Sequence, residues 1–289
     1  MKFQQIKKLI KCTCLEFFKE KPLKHGAALA YYSLLALVPI SYLSITYLGA
    51  IFGEEVMLNL IDTVLKEQVG LSDGSGILDF IGEIEFGTGS VFIQIIGIIV
   101  LLFSCSVIFN SLKGSINDFY DIDTSNIRRR KKIIRGLLSR LISMIFIIGI
   151  TLLVVVLYFT ETMFLSIGNN LLANVESLKW LITGMAHHGI PIITNLIVFS
   201  IIFKYLHDGK VDWKMAIKGS LLTTTLLYLG QLLIKYYLIN YFFGTGGGVA
   251  GTMLIILVWV YYSSQIIFFG AKFIAVYSKM TGTEIEYRN

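Results

Sequence analysis

Two long apolar runs near the end of the chain constrain its fold more than any other feature. The first covers residues 221–243, with Lys235 as its single charged residue, and the second covers residues 252–269 without a charge. A run of about 18 or more apolar residues is long enough to cross a bilayer as a helix. Because a chain in hydrocarbon must satisfy its own backbone hydrogen bonds, we predict two helices. The glycine-rich stretch between them predicts a tight reversal, so the pair forms a transmembrane hairpin.

Four further apolar runs precede this hairpin, and the composition agrees with them. Only 15% of the residues are charged, whereas soluble domains carry roughly 25%. The sequence therefore predicts an all-α, polytopic membrane protein with six transmembrane helices in one domain, 26–278. The predicted spans are 26–52, 91–112, 137–160, 180–205, 215–241 and 250–278.

The distribution of charge predicts the orientation of these helices. Lys and Arg concentrate in the N-terminal segment 1–25 and in the connection 113–135, whereas the loop 53–90 is acidic. Cytoplasmic loops carry the excess of Lys and Arg, so both termini, including the tail 279–289, are predicted to be cytoplasmic. The loop 53–90 is then extracytoplasmic, and its periodicity predicts a short amphipathic helix.

Two basic segments are candidates for contact with lipid. The segment 1–25 interleaves lysines with apolar residues, which is typical of a helix lying on an anionic leaflet. A solvated basic flank explains the same pattern, and the sequence leaves both interpretations open. The second segment is a cluster in the connection 113–135, which we interpret as a topology signal in contact with anionic lipid. It consists of Arg128, Arg129, Arg130, Lys131 and Lys132.

Several motifs, taken in order, resemble those of one protein family. The run 27–39 is similar to its opening signature, and Asn117, Trp213 and Gly219 agree with later positions. The run 251–271, which contains Trp259 and ends in Gly-Ala, resembles its last helix. Over about residues 20–278 the chain resembles the YihY/BrkB family of bacterial inner-membrane proteins, formerly mislabelled as ribonuclease BN.

This resemblance implies a six-helix fold in the bacterial cytoplasmic membrane, and it implies no agreed biochemical activity. The chain departs from the family pattern at two positions. Lys272 stands where the family usually has a glutamate after Gly-Ala, and His207 stands near a usual proline.

A few ionisable residues inside the predicted spans form one candidate site. Such residues are costly in lipid, which makes them functional candidates. We predict that residues at similar depth line a polar cavity that opens to the extracytoplasmic side. The alternative is that the lysine extends to the interface and the histidines are interfacial. The residues of this candidate outer cavity are Lys235, Gln231, His187, His188 and Glu161.

A second candidate site lies at the cytoplasmic end of the helices. Asn117, Asp118 and Asp121 follow the second predicted span, and Lys272 lies at matching depth near the end of the sixth. Helix capping and packing are one role that fits this candidate inner polar cluster. The other is an ion pair of Lys272 with Asp118 or Asp121 that would lock the two helices together, and the sequence leaves both interpretations open.

Prolines and glycines predict bends and close contacts between helices. Proline removes a backbone donor and kinks a helix, and glycine lets two backbones approach. We predict kinks at Pro39 and Pro191. Tight turns or close packing are predicted at Gly244, Gly246, Gly247, Gly248, Gly251 and Gly270.

The sequence lacks the patterns of an enzyme active site. His187 and His188 are adjacent, about 100° apart on a helix, so they do not chelate as an i, i+4 pair. The glycine-rich turn lacks the Lys-Ser/Thr ending of a phosphate-binding loop. The basic cluster at 128–132 lacks the interleaved aromatic residues of an RNA-binding module. We predict no catalysis, no cofactor, no metal and no nucleic-acid partner.

Two function classes remain. The first is a transporter or flippase for a lipid or lipid-linked amphiphile in envelope biogenesis, with anionic or lipid-linked membrane lipids as partners. The alternative is a non-catalytic membrane scaffold that supports envelope machinery, as a homo-oligomer or with a partner protein bound to the acidic outer loop. A polar cavity between the helices would favour the first class.

Overall fold

The computed structural model is helical throughout most of the chain that it describes. It describes residues 3–43, 45, 49–64, 91–122, 188–241, 248–283 and 285, together with helical residues at 145–146, 149–150, 152–157, 159–160 and 163. This part of the chain contains no β-strand, so the all-α prediction is confirmed for it. The helices whose bounds are described are α1 (Phe3–Lys19), α2 (Pro22–Leu43), α3 (Gly49–Phe52), α4 (Glu54–Val64), α5 (Val91–Phe119), α6 (Ile190–Tyr205), α7 (Trp213–Tyr241) and α8 (Gly248–Thr281).

The helix boundaries differ from the predicted ones where polar residues continue a helix. Helix α5 extends past the predicted end at residue 112 to Phe119. The predicted first span 26–52 is divided between α2 and α3. Helix α8 begins at Gly248, so Gly248 and Gly251 belong to a helix and not to the predicted turn. Glycine is a weak helix former but does not forbid a helix, unlike an internal proline. Gly244, Gly246 and Gly247 lie outside the described residues.

Both predicted proline kinks fall on described helices. Helix α2 continues through Pro39 to Leu43. Pro191 is the second residue of α6, and helical residues at 188 and 189 precede this helix. The first turn tolerates proline because its N–H groups have no partner within the helix. Residues 180–187 of the predicted span lie outside the described residues, so the kinks at Pro39 and Pro191 stay predictions.

The chain divides into two compact units. Unit 1 comprises Met1–Thr13, Ile116–Thr225 and Gly270–Asn289, and unit 2 comprises Cys14–Ser115 and Leu226–Phe269. The division falls within α1, α5, α7 and α8, so each of these helices supplies residues to both units.

Unit 1 is held by close approach of helices at small residues. Gly270 of α8 lies where a Cβ would meet Thr223 Oγ1 and come within 3.0 Å of Phe203 Cζ. Gly219 of α7 lies in the same way against the side chain of Ile274. The Ser200 and Ser220 hydroxyls, on α6 and α7, form a hydrogen bond of 2.7 Å. The predicted close packing at Gly270 is therefore confirmed.

Unit 2 joins α2 to α5 and α8 through polar groups as well as apolar contacts. His25 Nδ1 and Ser115 Oγ are 2.9 Å apart, and Gln265 Nε2 donates a hydrogen bond of 3.1 Å to the carbonyl oxygen of Pro22. A Cβ at Gly26 would overlap the Gln265 side chain, so a glycine is required at this contact. Elsewhere in the unit, Ile256 is buried among partly buried apolar side chains that include Trp259.

Two of the described helical segments are long and apolar enough to cross a membrane. They are Trp213–Ile234 and Ala250–Thr281, and only 33% of the most apolar window of each is buried. Large apolar side chains on both helices are exposed, among them Leu233 and Leu254. The core helix of a soluble protein is mostly buried, so the outward apolar faces of these two segments agree with candidate membrane spans.

We expect Gly270→Ala to destabilise the protein, because its added methyl group overlaps buried atoms of Thr223 and Phe203. Overpacking of this kind costs about 1–3 kcal/mol. The matched control is Gly251→Ala in the same helix, where a Cβ meets no described atom within 4 Å. The control should be neutral or slightly stabilising, because alanine is the better helix former. The measurement is the thermal unfolding midpoint of each purified variant in detergent. Equal midpoints for both variants would contradict the packing.

Candidate functional site

Asp121 lies in a turn that the end of α5 builds. The N–H of Ile122 donates to the Asn117 carbonyl at 3.0 Å, and the N–H of Asp121 donates to the Asp118 carbonyl at 3.1 Å. This is the Schellman arrangement, which places one residue in the left-handed region after a helix. Asp121 occupies that position with a φ of 57°, and Asp and Asn tolerate it better than most residues. The turn therefore fixes where the carboxylate points.

Two lysines from α8 bind the Asp121 carboxylate. Lys272 Nζ lies 2.8 Å from Oδ1, and Lys279 Nζ lies 2.7 Å from Oδ2. The side chain of Lys272 is only 2% exposed, so its ammonium depends on this carboxylate. Of the two predicted pairings, the structure shows Lys272 with Asp121, and the exposed Asp118 is the residue whose carbonyl closes the turn. The ion-pair prediction is confirmed in this form.

Lys279 was not among the predicted site residues, although a signal for it exists in the sequence. It follows Lys272 by seven residues, which is about two helical turns and therefore the same face of α8. Lys272 stands out in the sequence because apolar residues surround it. Lys279 lies near the end of the helix, where a lysine is common because it interacts favourably with the helix dipole.

The two lysines decide the ionisation of Asp121. Burial by itself raises the pKa of the carboxyl, but the hydrogen bonds and positive charges of Lys272 and Lys279 outweigh burial and hold the pKa below its ordinary value. The carboxylate is therefore ionised at neutral pH, and the cluster of one acid and two bases carries a net positive charge.

Asn117, a member of the predicted inner cluster, is hydrogen-bonded to Asp208. Its Nδ2 donates to Asp208 Oδ2 at 2.8 Å, and its Oδ1 accepts a hydrogen bond of 3.0 Å from the backbone N–H of Asp208. Both polar groups of the amide are thus used to hold the loop after α6 against the end of α5. Asn117 is a positioning residue for this loop.

His207, in the same loop, is buried and has both ring nitrogens engaged. Gly209 N–H donates to Nδ1 at 3.0 Å, so Nε2 is the nitrogen that carries the hydrogen and donates to the Phe203 carbonyl at 2.8 Å. The ring also packs against the edge of Tyr120 at a centroid distance of 4.7 Å. This network explains how a histidine fits at a position where the family pattern has a neighbouring proline.

A cavity of about 550 Å³ lies beside the charged cluster in unit 1. Lys210 and Asp212 line it from the start of α7, and Ser278, Lys279 and Thr283 line it from the end of α8. The Asp212 carbonyl accepts hydrogen bonds from the N–H groups of the first turn of α7, which makes this residue the start of the helix. Lys279 belongs to both features, because it lines the cavity and also binds Asp121 in the charged cluster.

The residues of the predicted outer cavity are only partly described. Gln231 is half-buried in α7, and His188 is exposed just before α6. Lys235 lies within α7, but its side chain lies outside the described part of the chain, as do His187 and Glu161. The outer cavity therefore stays a prediction. The cluster Arg128, Arg129, Arg130, Lys131 and Lys132 also lies outside the described residues.

Metal binding has no support in the part of the chain that the structure describes. No group of three or more His, Cys, Asp or Glu side chains lies close enough together there to hold a metal ion. Cys12 and Cys14, which lie in α1, are free thiols.

Long helices with exposed apolar faces, and with a charged cluster around the buried Lys272, are those of a helical membrane protein. Comparison with known proteins agrees. The model of the family described as "Virulence factor BrkB" matches residues 14–289. The chain belongs to this family, and the match confirms the resemblance found in its motifs.

Similar proteins carry names that state a membrane location and no activity. The chain is 25% identical over 282 residues to a UPF0761 membrane protein of Mannheimia succiniciproducens, covering 96% of this chain and 91% of that protein. It is 23% identical over 276 residues to a UPF0761 membrane protein of Haemophilus influenzae, covering 93% and 94%. No solved structure matches the chain.

We expect Asp121→Asn to destabilise the protein near neutral pH, because it removes the negative charge that lies 2.8 Å from the buried Lys272 ammonium. Loss of one partner of a fully buried pair costs roughly 3–5 kcal/mol. We expect about 2 kcal/mol here, because the Asp121 side chain is 36% exposed and solvent screens it. Asparagine keeps the size and the left-handed tendency of the turn residue, so the variant tests the charge. The readout is the thermal unfolding midpoint.

The pH dependence follows from the direction of the pKa shift. A lowered pKa in the folded state contributes stability above the unfolded pKa of about 4, and that stability is lost as the pH falls through the folded pKa. The gap between wild type and Asp121→Asn should therefore shrink below about pH 4. Asp118→Asn, an exposed neighbour, is the control and should show a smaller gap. A gap independent of pH would argue against the ion pair as its cause.

Proposed function

We propose that the protein is a multi-pass protein of the bacterial cytoplasmic membrane that moves a lipid or lipid-linked amphiphile with an anionic headgroup. In this proposal six helices span the membrane, both termini lie in the cytoplasm, and the protein is not an enzyme. The observation that carries the proposal is the polar cavity joined to the charged cluster of Asp121, Lys272 and Lys279, in which Lys272 is buried.

The charges around the cavity favour an anionic group. Lys210, Lys272 and Lys279 supply three positive charges, and Asp121 and Asp212 supply two negative ones, which leaves a net charge of about +1. Lys279 is the half-exposed member of the cluster, so its ammonium can turn from Asp121 to a ligand while Lys272 keeps the carboxylate paired. Phosphate oxygens in the cavity would accept charge-assisted hydrogen bonds from Lys210 and Lys279.

The buried ammonium of Lys272 supports the transporter proposal over the scaffold alternative. A buried charge is expensive and is a weak source of stability even when it is paired. A protein that only supports partners through an outer loop has no need of it, whereas a path for a charged headgroup requires polar groups inside an apolar protein. The acidic loop 53–90, on which the scaffold alternative depends, is described only as far as α4.

The proposed orientation rests on the Lys and Arg residues of the N-terminal segment 1–25 and of the connection 113–135. Green fluorescent protein fused after Asn289 should fluoresce, because it folds in the cytoplasm. Alkaline phosphatase inserted in the loop 53–90 should be active, because it needs the oxidising extracytoplasmic side. The reciprocal fusions serve as controls and should be silent. An active phosphatase at the C-terminus would overturn the orientation.

Transport is tested with purified protein in vesicles that carry acyl-labelled fluorescent lipids. We expect the protein to speed the transfer of labelled phosphatidylglycerol or of a labelled polyprenyl phosphate between leaflets, measured by dithionite quenching. Labelled phosphatidylcholine should move more slowly, because its headgroup carries no net charge. Rates equal to those of protein-free vesicles for both anionic lipids would favour the scaffold alternative.

The cavity lysine Lys210 provides the matching variant. Lys210→Ala should slow transfer of the anionic lipid roughly tenfold, since a hydrogen bond to a charged group is worth about 1.5–3 kcal/mol. The control is Lys214→Ala, which removes an exposed lysine of the first turn of α7 that does not line the cavity. Equal transfer rates for the two variants would show that the cavity lysine has no part in transport.

A further inference from the structure

Helix α1 arranges its residues in parallel rows, each made of positions four apart. Leu9, Thr13 and Phe17 form the buried row. Ile6, Ile10, Cys14 and Phe18 form the apolar row, in which the three large side chains are exposed. Lys7, Lys11, Leu15 and Lys19 form the basic row, and all four of its side chains are exposed. At 100° per residue the apolar row lies between the buried row and the basic row.

The buried row holds α1 against the rest of the protein. Thr13 is fully buried and its hydroxyl donates to the Leu9 carbonyl at 2.9 Å. Phe17 packs on Phe269 of α8, edge to face, with ring centroids 5.4 Å apart. The orientation of the helix about its own axis is thus set by packing, and the apolar row cannot turn inward to escape solvent.

The apolar row is too exposed for a helix that faces only water. Ile10 is 50% exposed and Phe18 is 69% exposed. Leu23, in the first turn of α2, is exposed as well. Neither the apolar row nor the basic row contains an acidic residue, because Glu16 and Glu20 lie on the far side of the helix. Apolar side chains beside a row of lysines, without acids among them, match the boundary between acyl chains and anionic headgroups.

We infer that α1 lies along the surface of an anionic lipid leaflet, with Ile6, Ile10 and Phe18 inserted at the acyl boundary and Lys11 and Lys19 at the lipid phosphates. A lipid surface fits better than a protein partner, since protein interfaces are depleted of lysine. Each lysine near an anionic leaflet is attracted to it. The inference stands independently of the transport proposal, because a scaffold would carry the same helix.

The test measures the depth of single positions of α1 in the full-length protein. A nitroxide is attached through a ketone-bearing residue at position 10, which leaves Cys12 and Cys14 in place, and the protein is held in nanodiscs of phosphatidylglycerol and phosphatidylcholine. Collisions with oxygen report the acyl region, and collisions with a nickel chelate report water. Position 8, an exposed lysine on the other side of the basic row, is the control.

We expect the oxygen-to-nickel collision ratio at position 10 to exceed that at position 8 by at least about threefold, since inserted faces lie roughly 5–10 Å deep. The triple variant Lys7→Gln, Lys11→Gln and Lys19→Gln should lower the ratio at position 10, as should nanodiscs of phosphatidylcholine alone. Equal ratios at the two positions would overturn the inference. A label at position 10 that neither reagent reaches would also overturn it, because a second copy of the chain would then cover the apolar row.

Discussion

The ammonium of Lys272 is the group on which the charged cluster of Asp121, Lys272 and Lys279 depends, because it is buried and has to be balanced. Asp121 balances it only because α5 ends in a turn that places this residue in the left-handed region and points its carboxylate at α8. The same carboxylate binds Lys279, which lines the neighbouring cavity. One turn therefore joins the end of α5, the end of α8 and the cavity. A substitution at Asp121 would alter the contacts of all three.

Small residues and hydroxyls hold the helices of unit 1 together where apolar burial alone would not. In lipid, apolar side chains gain little by leaving the acyl chains, so close backbone approach and hydrogen bonds between helices carry the association. Gly270 and Gly219 allow that approach, and the Ser200–Ser220 pair supplies a hydrogen bond between α6 and α7. This arrangement explains how apolar side chains of unit 1 such as Leu221 remain on the outside without loss of the fold.

The surface features and the internal site follow different physical rules. The exposed rows of α1 suit a planar, negatively charged leaflet, whereas the cavity suits a single anionic group. Both use lysine, but Lys11 and Lys19 are exposed on a helix surface and Lys279 is tied to a carboxylate. In the two proposals, the positive charge of α1 therefore attracts the helix to the leaflet, and the positive charge at the cavity selects an anionic headgroup.

The sequence by itself determined the class of structure. Apolar runs longer than a soluble helix needs predict helices with lipid-facing sides, and the order of motifs indicates the family. It also placed Lys272 and Asp121 at matching depth, because depth depends only on distance along a helix. Tertiary structure decided what periodicity does not contain. The geometry of a turn makes Asp121, and not Asp118, the partner of Lys272. Packing also brings Asn117 into contact with Asp208 and adds Lys279 to the cluster. Gly270 is packed tightly, whereas Gly251 has no close contact. These outcomes depend on the rotation of each helix about its axis, which is fixed only when helices from distant parts of the chain pack together.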